Sequence, residues 1–332
     1  MLVPCLLFAA GLVLLIVGGD WFVDGSVGIA RRFHVPELLI GATIVSIGTT
    51  LPEVMVSASS AVSGHGEIAY GNAIGSIICN TSLILAITIA VRPQKVDNNT
   101  FKTPVAFFYI AAAFYAYTAY VSHMFDRVTG IILLLIFVIF MGVSIKQAVG
   151  DIKLQAHLEE SASPHEQKEE ELDAAFSRPA VFVGKLVAGA AAIAVGADFL
   201  VDNGTIIAKA LGVPESVIGL TFVALGTSLP ELVTAITSLV KGHGSLSLGN
   251  IIGANMFNLV LVSGLSITLC PFNIPVDKTI AGMNASLVVD IPLMILVMSI
   301  VVIPAFIKGE LKRYQGIVLL LMYAAFCVYQ FA

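Results

Sequence analysis

The chain has 332 residues, of which 58% are hydrophobic and only 12% are charged, and its mean hydropathy is +0.96. A soluble domain of this size has about a quarter of its residues charged, so the composition excludes a soluble enzyme or a nucleic-acid-binding module. The net charge of −5 says little, because in a membrane protein the distribution of charge matters more than its sum.

Apolar stretches of spanning length follow one another along the whole chain. A helix that crosses a bilayer needs about 20 mostly apolar residues. Ten stretches qualify, and their centres lie near residues 12, 48, 79, 111, 137, 192, 227, 257, 291 and 322. The sequence therefore predicts an all-α polytopic protein that spans the lipid bilayer ten times, with long first and sixth helices.

A glutamate-rich segment separates the first five stretches from the last five. It contains HLEESASPHEQKEEELD and has no apolar periodicity, which is typical of a solvated linker. The predicted division is a first five-helix repeat over 1–149, an acidic cytoplasmic linker over 150–177 and a second, inverted five-helix repeat over 178–332.

The basic residues are distributed unequally between the two sides of the membrane. With ten spans, one set of loops contains 14 of the 17 lysines and arginines, and the other set contains 3. Cytoplasmic loops carry the excess of positive charge. We expect both termini to lie outside and the protein to reside in the cytoplasmic (inner) membrane.

The two halves are copies of one another. Shifting the sequence by 178 residues places Gly18–Leu85 on Gly196–Ser263 without a gap, and 29 of the 68 positions are identical. Five predicted spans separate the copies, so equivalent helices cross the membrane in opposite directions. Such inverted repeats are typical of secondary transporters, whose substrate site lies at the repeat interface near the midplane.

The first repeated element is a predicted helix that proline breaks in mid-membrane. The two copies are IGATIVSIGTTLPEVMVS and IGLTFVALGTSLPELVTA. Pro52 and Pro230 lack an N–H, so carbonyls one turn earlier lose their helical partners and become available to a cation. A carboxylate follows each proline directly, at Glu53 and Glu231. Hydroxyl groups precede the prolines, and they belong to Thr49, Thr50, Thr227 and Ser228.

The second repeated element supplies amide oxygens. YGNAIGSIICN and LGNIIGANMFN place Asn80 and Asn258 at equivalent positions, and Ser76 occurs in the first copy only. Two carboxylates with hydroxyls, amides and carbonyls form an all-oxygen ligand set that suits a hard cation such as calcium. The lack of histidine and cysteine partners argues against zinc or copper.

The motifs GTTLPE with GNAIGSIICN, and GTSLPE with GNIIGANMFN, resemble the two alpha-repeats of the calcium/cation antiporter superfamily. Within it, the chain is most similar to prokaryotic sodium/calcium exchangers. This resemblance implies ten helices, an outside N-terminus and alternating access, with sodium and calcium competing for one site. It implies calcium coordination by Thr49, Glu53, Thr227 and Glu231. It implies sodium coordination by Thr50, Ser76, Ser228, Asn80 and the backbone carbonyls of Ser46 and Ala224.

Two positions depart from the pattern of the archaeal exchangers. Ala254 stands where that pattern has serine, and Asn258 stands where it has aspartate. The expected function is antiport of calcium against sodium without enzymatic chemistry or a cofactor. Potassium-dependent exchange and calcium/proton exchange stay open as alternatives, and a cation channel is a further one. We expect a monomer or a weak homo-oligomer.

Overall fold

The computed structural model describes residues 1–160, 179–211, 226–276, 279–280 and 282–331. Within these residues the chain forms ten helices and six two-residue strands. The helices are α1 Leu2–Arg32, α2 Glu37–Val62, α3 Gly66–Val91, α4 Asn98–Ser122, α5 Arg127–Glu160, α6 Pro179–Ala210, α7 Leu229–Val240, α8 Gly244–Leu269, α9 Ser286–Lys308 and α10 Arg313–Phe331.

Eight of these helices are long and apolar enough to cross a membrane, and the other two are α7 and α10. The backbone polar groups of a helix pair within the helix itself, which is what hydrocarbon demands of a spanning segment. Many outward-facing side chains are large and apolar, such as Val13, Leu135 and Val138. The chain is therefore an all-helical multi-pass membrane protein.

Two helices lie at the centre of the bundle. In α8, 83% of the most apolar stretch is buried, and in α3 the share is 72%, whereas in α1 and in α6 it is 22%. The helices that carry the repeated asparagine motifs are thus enclosed by protein. The long helices α1 and α6 lie at the periphery, where they face the lipid.

Elements of the two halves occur at matching positions. Helices α3 and α8 begin at Gly66 and Gly244, which are 178 residues apart, and the turn before each helix contains a glycine with φ near +85°. Those glycines are Gly64 and Gly242, and the positive φ explains why glycine stands at both. Each helix also contains a π-helical segment that starts at an asparagine, Asn80–Leu85 in α3 and Asn258–Val262 in α8.

Short strands tie one half to the other in two equivalent places. Gln94–Lys95 pairs antiparallel with Glu310–Leu311, and Met124–Phe125 pairs antiparallel with Phe272–Asn273. The first strand of each pair has its sequence counterpart in the other pair, so the pairings exchange under the repeat. A further hairpin joins Thr279–Ile280 to Met283–Asn284. It lies in a segment that lengthens the second half.

Helices α1 and α6 pack along each other through glycines. A Cβ on Gly11 would lie 2.8 Å from the carbonyl oxygen of Gly196, and a Cβ on Gly18 would lie 3.0 Å from that of Gly189. Contacts that move up α1 move down α6, so these equivalent helices run antiparallel. The glycines recur every seven residues on one face of each helix, which allows the backbones to approach closely.

Proline does not interrupt the first repeated helix where the sequence predicts. The α-helix runs continuously from Ser46 to Val62 with Pro52 inside it, and the irregular stretch is the π-helical segment Gly41–Val45 upstream. In the second copy, α7 begins at Leu229 with Pro230 in its first turn. A proline is tolerated in a first turn because the N–H groups there have no helical partner. The predicted break is therefore wrong for the first copy.

The predicted linker begins as a helix. Helix α5 continues to Glu160, past the expected end of the first repeat at 149. The rest of the acidic segment, 161–178, lies outside the described residues. The division into two repeats and a linker stays a prediction at these boundaries.

Candidate functional site

Two glutamates, one from each half, lie fully buried inside the bundle. Glu53 belongs to α2 and Glu231 to α7, and both side chains are 0% exposed. Among the described residues, neither carboxylate oxygen of Glu53 has a hydrogen-bond partner, and Oε2 of Glu231 has none either. The hydroxyl of Thr50 contacts Oε1 of Glu231 at 3.5 Å, which joins the two copies. Unpaired buried carboxylates are costly, so this arrangement suits a positively charged ligand.

The threonines that precede the prolines bond to asparagines of the opposite half. The hydroxyl of Thr49 donates to Oδ1 of Asn250 at 3.2 Å, and the hydroxyl of Thr227 donates to Oδ1 of Asn72 at 3.3 Å. Thr49 corresponds to Thr227 in the repeat, and Asn72 corresponds to Asn250. The two bonds are therefore equivalent, and each crosses between the halves.

The central helices α3 and α8 contribute unpartnered amides. Asn80 and Asn258 are fully buried, and neither atom of either amide has a hydrogen-bond partner among the described residues. Each asparagine is the first residue of a π-helical segment. Such single-turn widenings are frequent at functional sites, because they alter which side chains point inward.

Three other predicted residues have different surroundings. Ser228 is buried, and its hydroxyl has no partner among the described residues, as expected for a ligand. Ser46 uses its hydroxyl to donate to the carbonyls of Gly41 and Asn250, at 2.8 and 2.9 Å. Ser76 is buried in α3. Ala224, whose carbonyl is a predicted sodium ligand, lies outside the described residues.

The structure adds two residues to the predicted set, Asn72 and Asn250. Sequence reasoning missed them although the GN dipeptide occurs at the same place in both motifs. Their roles depend on which helix packs opposite, and Gly249 and Gly253 decide this for α8. A Cβ on Gly249 would meet the carbonyl oxygen of Leu38 at 2.1 Å, so only glycine allows α2 and α8 to lie this close.

Acidic residues on α1 form ion pairs away from this site. Lys241, at the end of α7, lies 3.2 Å from Asp20 and 2.7 Å from Asp24, and Lys185 of α6 lies 3.3 Å from Asp24. These contacts tie α1 to both neighbouring helices. The predicted interfacial role of Asp20 and Asp24 agrees with this geometry.

The chemistry of the site is that of an oxygen-donor cage. The described residues contain no group of three or more histidine, cysteine, aspartate or glutamate side chains that could hold a metal ion. What the two halves bring together is instead two carboxylates with hydroxyl and amide oxygens. Hard cations take this mixture of oxygen ligands, whereas zinc and copper prefer nitrogen and sulfur.

Comparison with known proteins gives consistent matches. The model of the family described as "Sodium/calcium exchanger protein" matches residues 3–146 and 181–332. The sodium/calcium exchanger MaX1 of Methanosarcina acetivorans is 30% identical over 98% of each chain. The inner membrane protein YrbG of Escherichia coli is 35% identical over 82% of this chain and 81% of its own. A structure of the sodium-calcium exchanger NCX_Mj, soaked with Na⁺ and Sr²⁺, superposes with a TM-score of 0.80 at 30% identity, covering 98% of this chain and 97% of that one.

Fold and matches together define a multi-pass membrane transporter of cations, not an enzyme. The chain belongs to the sodium/calcium exchanger protein family. Both halves of the chain are matched by that one family model, which agrees with the internal repeat.

Proposed function

We propose that this protein exchanges calcium for sodium across the cytoplasmic membrane by alternating access. The observation that carries the proposal is the pair of fully buried carboxylates, Glu53 and Glu231, one from each half, with three of their four oxygens lacking a partner among the described residues. A divalent cation would neutralise both charges. Thr49, Thr227 and the amides of Asn80 and Asn258 would complete its oxygen shell.

Competition between the ions would couple the two fluxes. Sodium ions entering down their gradient would occupy positions that share Glu53 and Glu231 with calcium, and like-charge repulsion would disfavour simultaneous binding. An empty site would leave two bare carboxylates facing a low-dielectric barrier, at a cost of many kcal/mol. Only a neutralised site would therefore change its access from one side to the other.

The proposed topology has ten spans, arranged as two inverted five-helix repeats with both termini outside. Three observations support it: the antiparallel packing of the equivalent helices α1 and α6, the exchange of strand pairings between the halves, and the 14 basic residues on one side against 3 on the other. The Escherichia coli relative is named as an inner membrane protein, which supports the same location here. Monomer or weak homo-oligomer stays our expectation.

The counter-ion follows from the same site. Ala254 lacks the hydroxyl that Ser76 has at the matching position, and Asn258 is neutral, so the site offers fewer sodium ligands than a fully symmetric one. We propose sodium as the coupling ion because Thr50, Ser228, Asn80 and Ser76 still provide neutral oxygens. Potassium-dependent and proton-driven exchange are the alternatives that the experiment separates.

The test measures calcium-45 uptake into proteoliposomes with sodium, potassium or pH gradients imposed one at a time. Uptake driven by an outward sodium gradient alone supports the proposal. Uptake in sodium-free buffer with only a pH gradient would establish proton exchange instead, and flux without any counter-gradient would indicate a channel. Glu53→Gln and Glu231→Gln should abolish uptake, whereas Glu67→Gln, an exposed glutamate at the start of α3, should retain it. Retained uptake in both site variants would refute the assignment.

A further inference from the structure

Two asparagines outside the predicted ligand set bond to the threonines of the site. Asn72 lies on α3 and accepts from Thr227 of the second half, and Asn250 lies on α8 and accepts from Thr49 of the first half. Both distances are near 3.3 Å, and the pairs are equivalent under the repeat. Two independent copies of the same contact indicate a function rather than an accident of packing.

The donor and acceptor roles in the first-half asparagine are fixed by its other contacts. Nδ2 of Asn72 donates to the backbone carbonyl of Glu53 at 3.3 Å and to the hydroxyl of Ser57 at 2.8 Å. A carbonyl can only accept, so the NH₂ end of the amide must face it. Oδ1 therefore faces Thr227, and because an amide oxygen cannot donate, the hydroxyl of Thr227 must supply the hydrogen.

The second asparagine has a different set of partners. Oδ1 of Asn250 accepts from Thr49 at 3.2 Å and from Ser46 at 3.3 Å, and its backbone carbonyl also accepts from Ser46 at 2.9 Å. Its side chain and those of both partners are buried. Asn250 acts on the site through its oxygen alone, whereas Asn72 uses both ends of its amide.

A hydroxyl that binds a cation must turn its hydrogen away from the ion. It carries one hydrogen and two lone pairs, so committing the hydrogen to a neighbour leaves the lone pairs for a metal. We propose that Asn72 and Asn250 are positioning residues of the cation site. Each takes up the hydrogen of a threonine from the opposite half and presents that threonine's oxygen to calcium. The inference rests on the proposed calcium site at Thr49, Thr227 and the two glutamates.

The first experiment measures calcium affinity of the full-length protein in detergent by isothermal titration calorimetry, which does not depend on transport. Residues that orient metal ligands typically alter affinity by about 10–100-fold when removed, so Asn72→Ala and Asn250→Ala should each weaken binding within that range. Asn250→Asp should recover most of the loss, because a carboxylate oxygen still accepts from Thr49 and Ser46. Asn72→Asp should recover less, because it cannot donate to the carbonyl of Glu53.

The second experiment separates positioning from general support of the fold. If Asn250 acts through Thr49, then Asn250→Ala should cause no further loss of affinity once Thr49→Val is present. Asn72→Ala combined with Thr49→Val should instead multiply the two losses, since those residues belong to different pairs. Effects are expected to multiply only for residues that do not act on one another. The reciprocal cycle with Thr227→Val should give the mirror-image result.

The outcomes distinguish this inference from the proposed function. Losses that multiply in both pairings, or an Asn250→Asp variant as weak as Asn250→Ala, would overturn the positioning role and leave the exchanger proposal intact. Calcium binding with the expected pattern but no sodium-driven flux would overturn the exchanger proposal alone. A wild-type protein that binds no calcium would overturn both. Size-exclusion profiles and melting temperatures identify any misfolded variant, and Asn250→Asp then supplies the decisive comparison.

Discussion

The hydroxyl of Thr50 lies 3.5 Å from the carboxylate of Glu231, and this contact joins α2 of the first half to α7 of the second. Both side chains are buried, with exposed fractions of 1% and 0%. Each of these residues directly adjoins a proline-containing stretch of its own copy, or the proline itself. The two copies therefore meet at the acidic residues, and the hydroxyl of one half stabilises the charge of the other.

Removing that hydroxyl should weaken the cation site. Thr50→Val keeps the shape of the side chain but leaves Oε1 of Glu231 without its donor. Since the contact is long, we take the low end of the range for bonds to charged groups, about 1 kcal/mol, which corresponds to roughly a fivefold loss of calcium affinity. Isothermal titration calorimetry measures it. Thr43→Val is the matched control, because the hydroxyl of Thr43 bonds to the carbonyl of Leu39 within its own helix. Equal losses in both variants would contradict the prediction.

The glycines between α1 and α6 should tolerate no side chain. A Cβ on Gly189 would lie 2.5 Å from the backbone nitrogen of Phe22, and backbone atoms cannot move aside as a flexible side chain can. Gly189→Leu should therefore separate the helices and destabilise the protein by about 1–3 kcal/mol. The melting temperature in detergent tests this. Gly184→Leu is the matched control on the same helix, because Gly184 is exposed and a Cβ there meets nothing within 4 Å among the described residues. A Gly189 variant that melts with the control would disprove the close packing.

Much of this architecture could be predicted from the sequence, because apolar stretches and the offset of 178 residues are visible without coordinates. The burial of Glu53 and Glu231 was also predictable, since each follows a proline in mid-membrane. The partners of Asn72 and Asn250 were not, because they depend on how helices distant in sequence pack. The continuous helix through Pro52 was missed for a related reason. Proline removes one N–H bond, and packing on both sides of the helix can hold it together regardless.

The cap at the start of α5 should stabilise the protein in a pH-dependent way. Oδ1 of Asp126 accepts from the backbone nitrogen of Thr129 at 2.7 Å and from its hydroxyl at 2.6 Å, and these bonds hold the pKa of Asp126 below its usual value. With a lowered folded pKa, the contribution is complete above the unfolded pKa near 3.8 and is lost as pH falls through the folded pKa.

Asp126→Ala should accordingly cost about 1 kcal/mol at pH 7, as is typical for the loss of a capping side chain. The melting temperatures of wild type and variant, measured in detergent from pH 7 down to pH 3, should converge at the acid end. A difference that stays constant over this range would show that the cap does not depend on the charge of the carboxylate.

The asymmetry between Ser76 and Ala254 should set how many sodium ions the site accepts. These residues occupy matching positions on α3 and α8, and Ala254 is completely buried, so the second half lacks one hydroxyl oxygen inside the bundle. Ala254→Ser adds that oxygen with little added volume. If the missing hydroxyl limits sodium binding, the variant should show steeper dependence of calcium uptake on sodium, with a Hill coefficient higher than that of wild type.

Ser76→Ala should have the opposite effect, because it removes the remaining hydroxyl and makes the halves alike. The measurement is calcium-45 efflux from proteoliposomes over a series of external sodium concentrations, with Ser247→Ala as the control for a buried serine elsewhere on α8. Unchanged Hill coefficients in both Ala254→Ser and Ser76→Ala would mean that this position does not contact sodium. Selectivity would then have to arise from Asn80, Asn258 and the carboxylates, since they are the remaining polar groups shared by both halves.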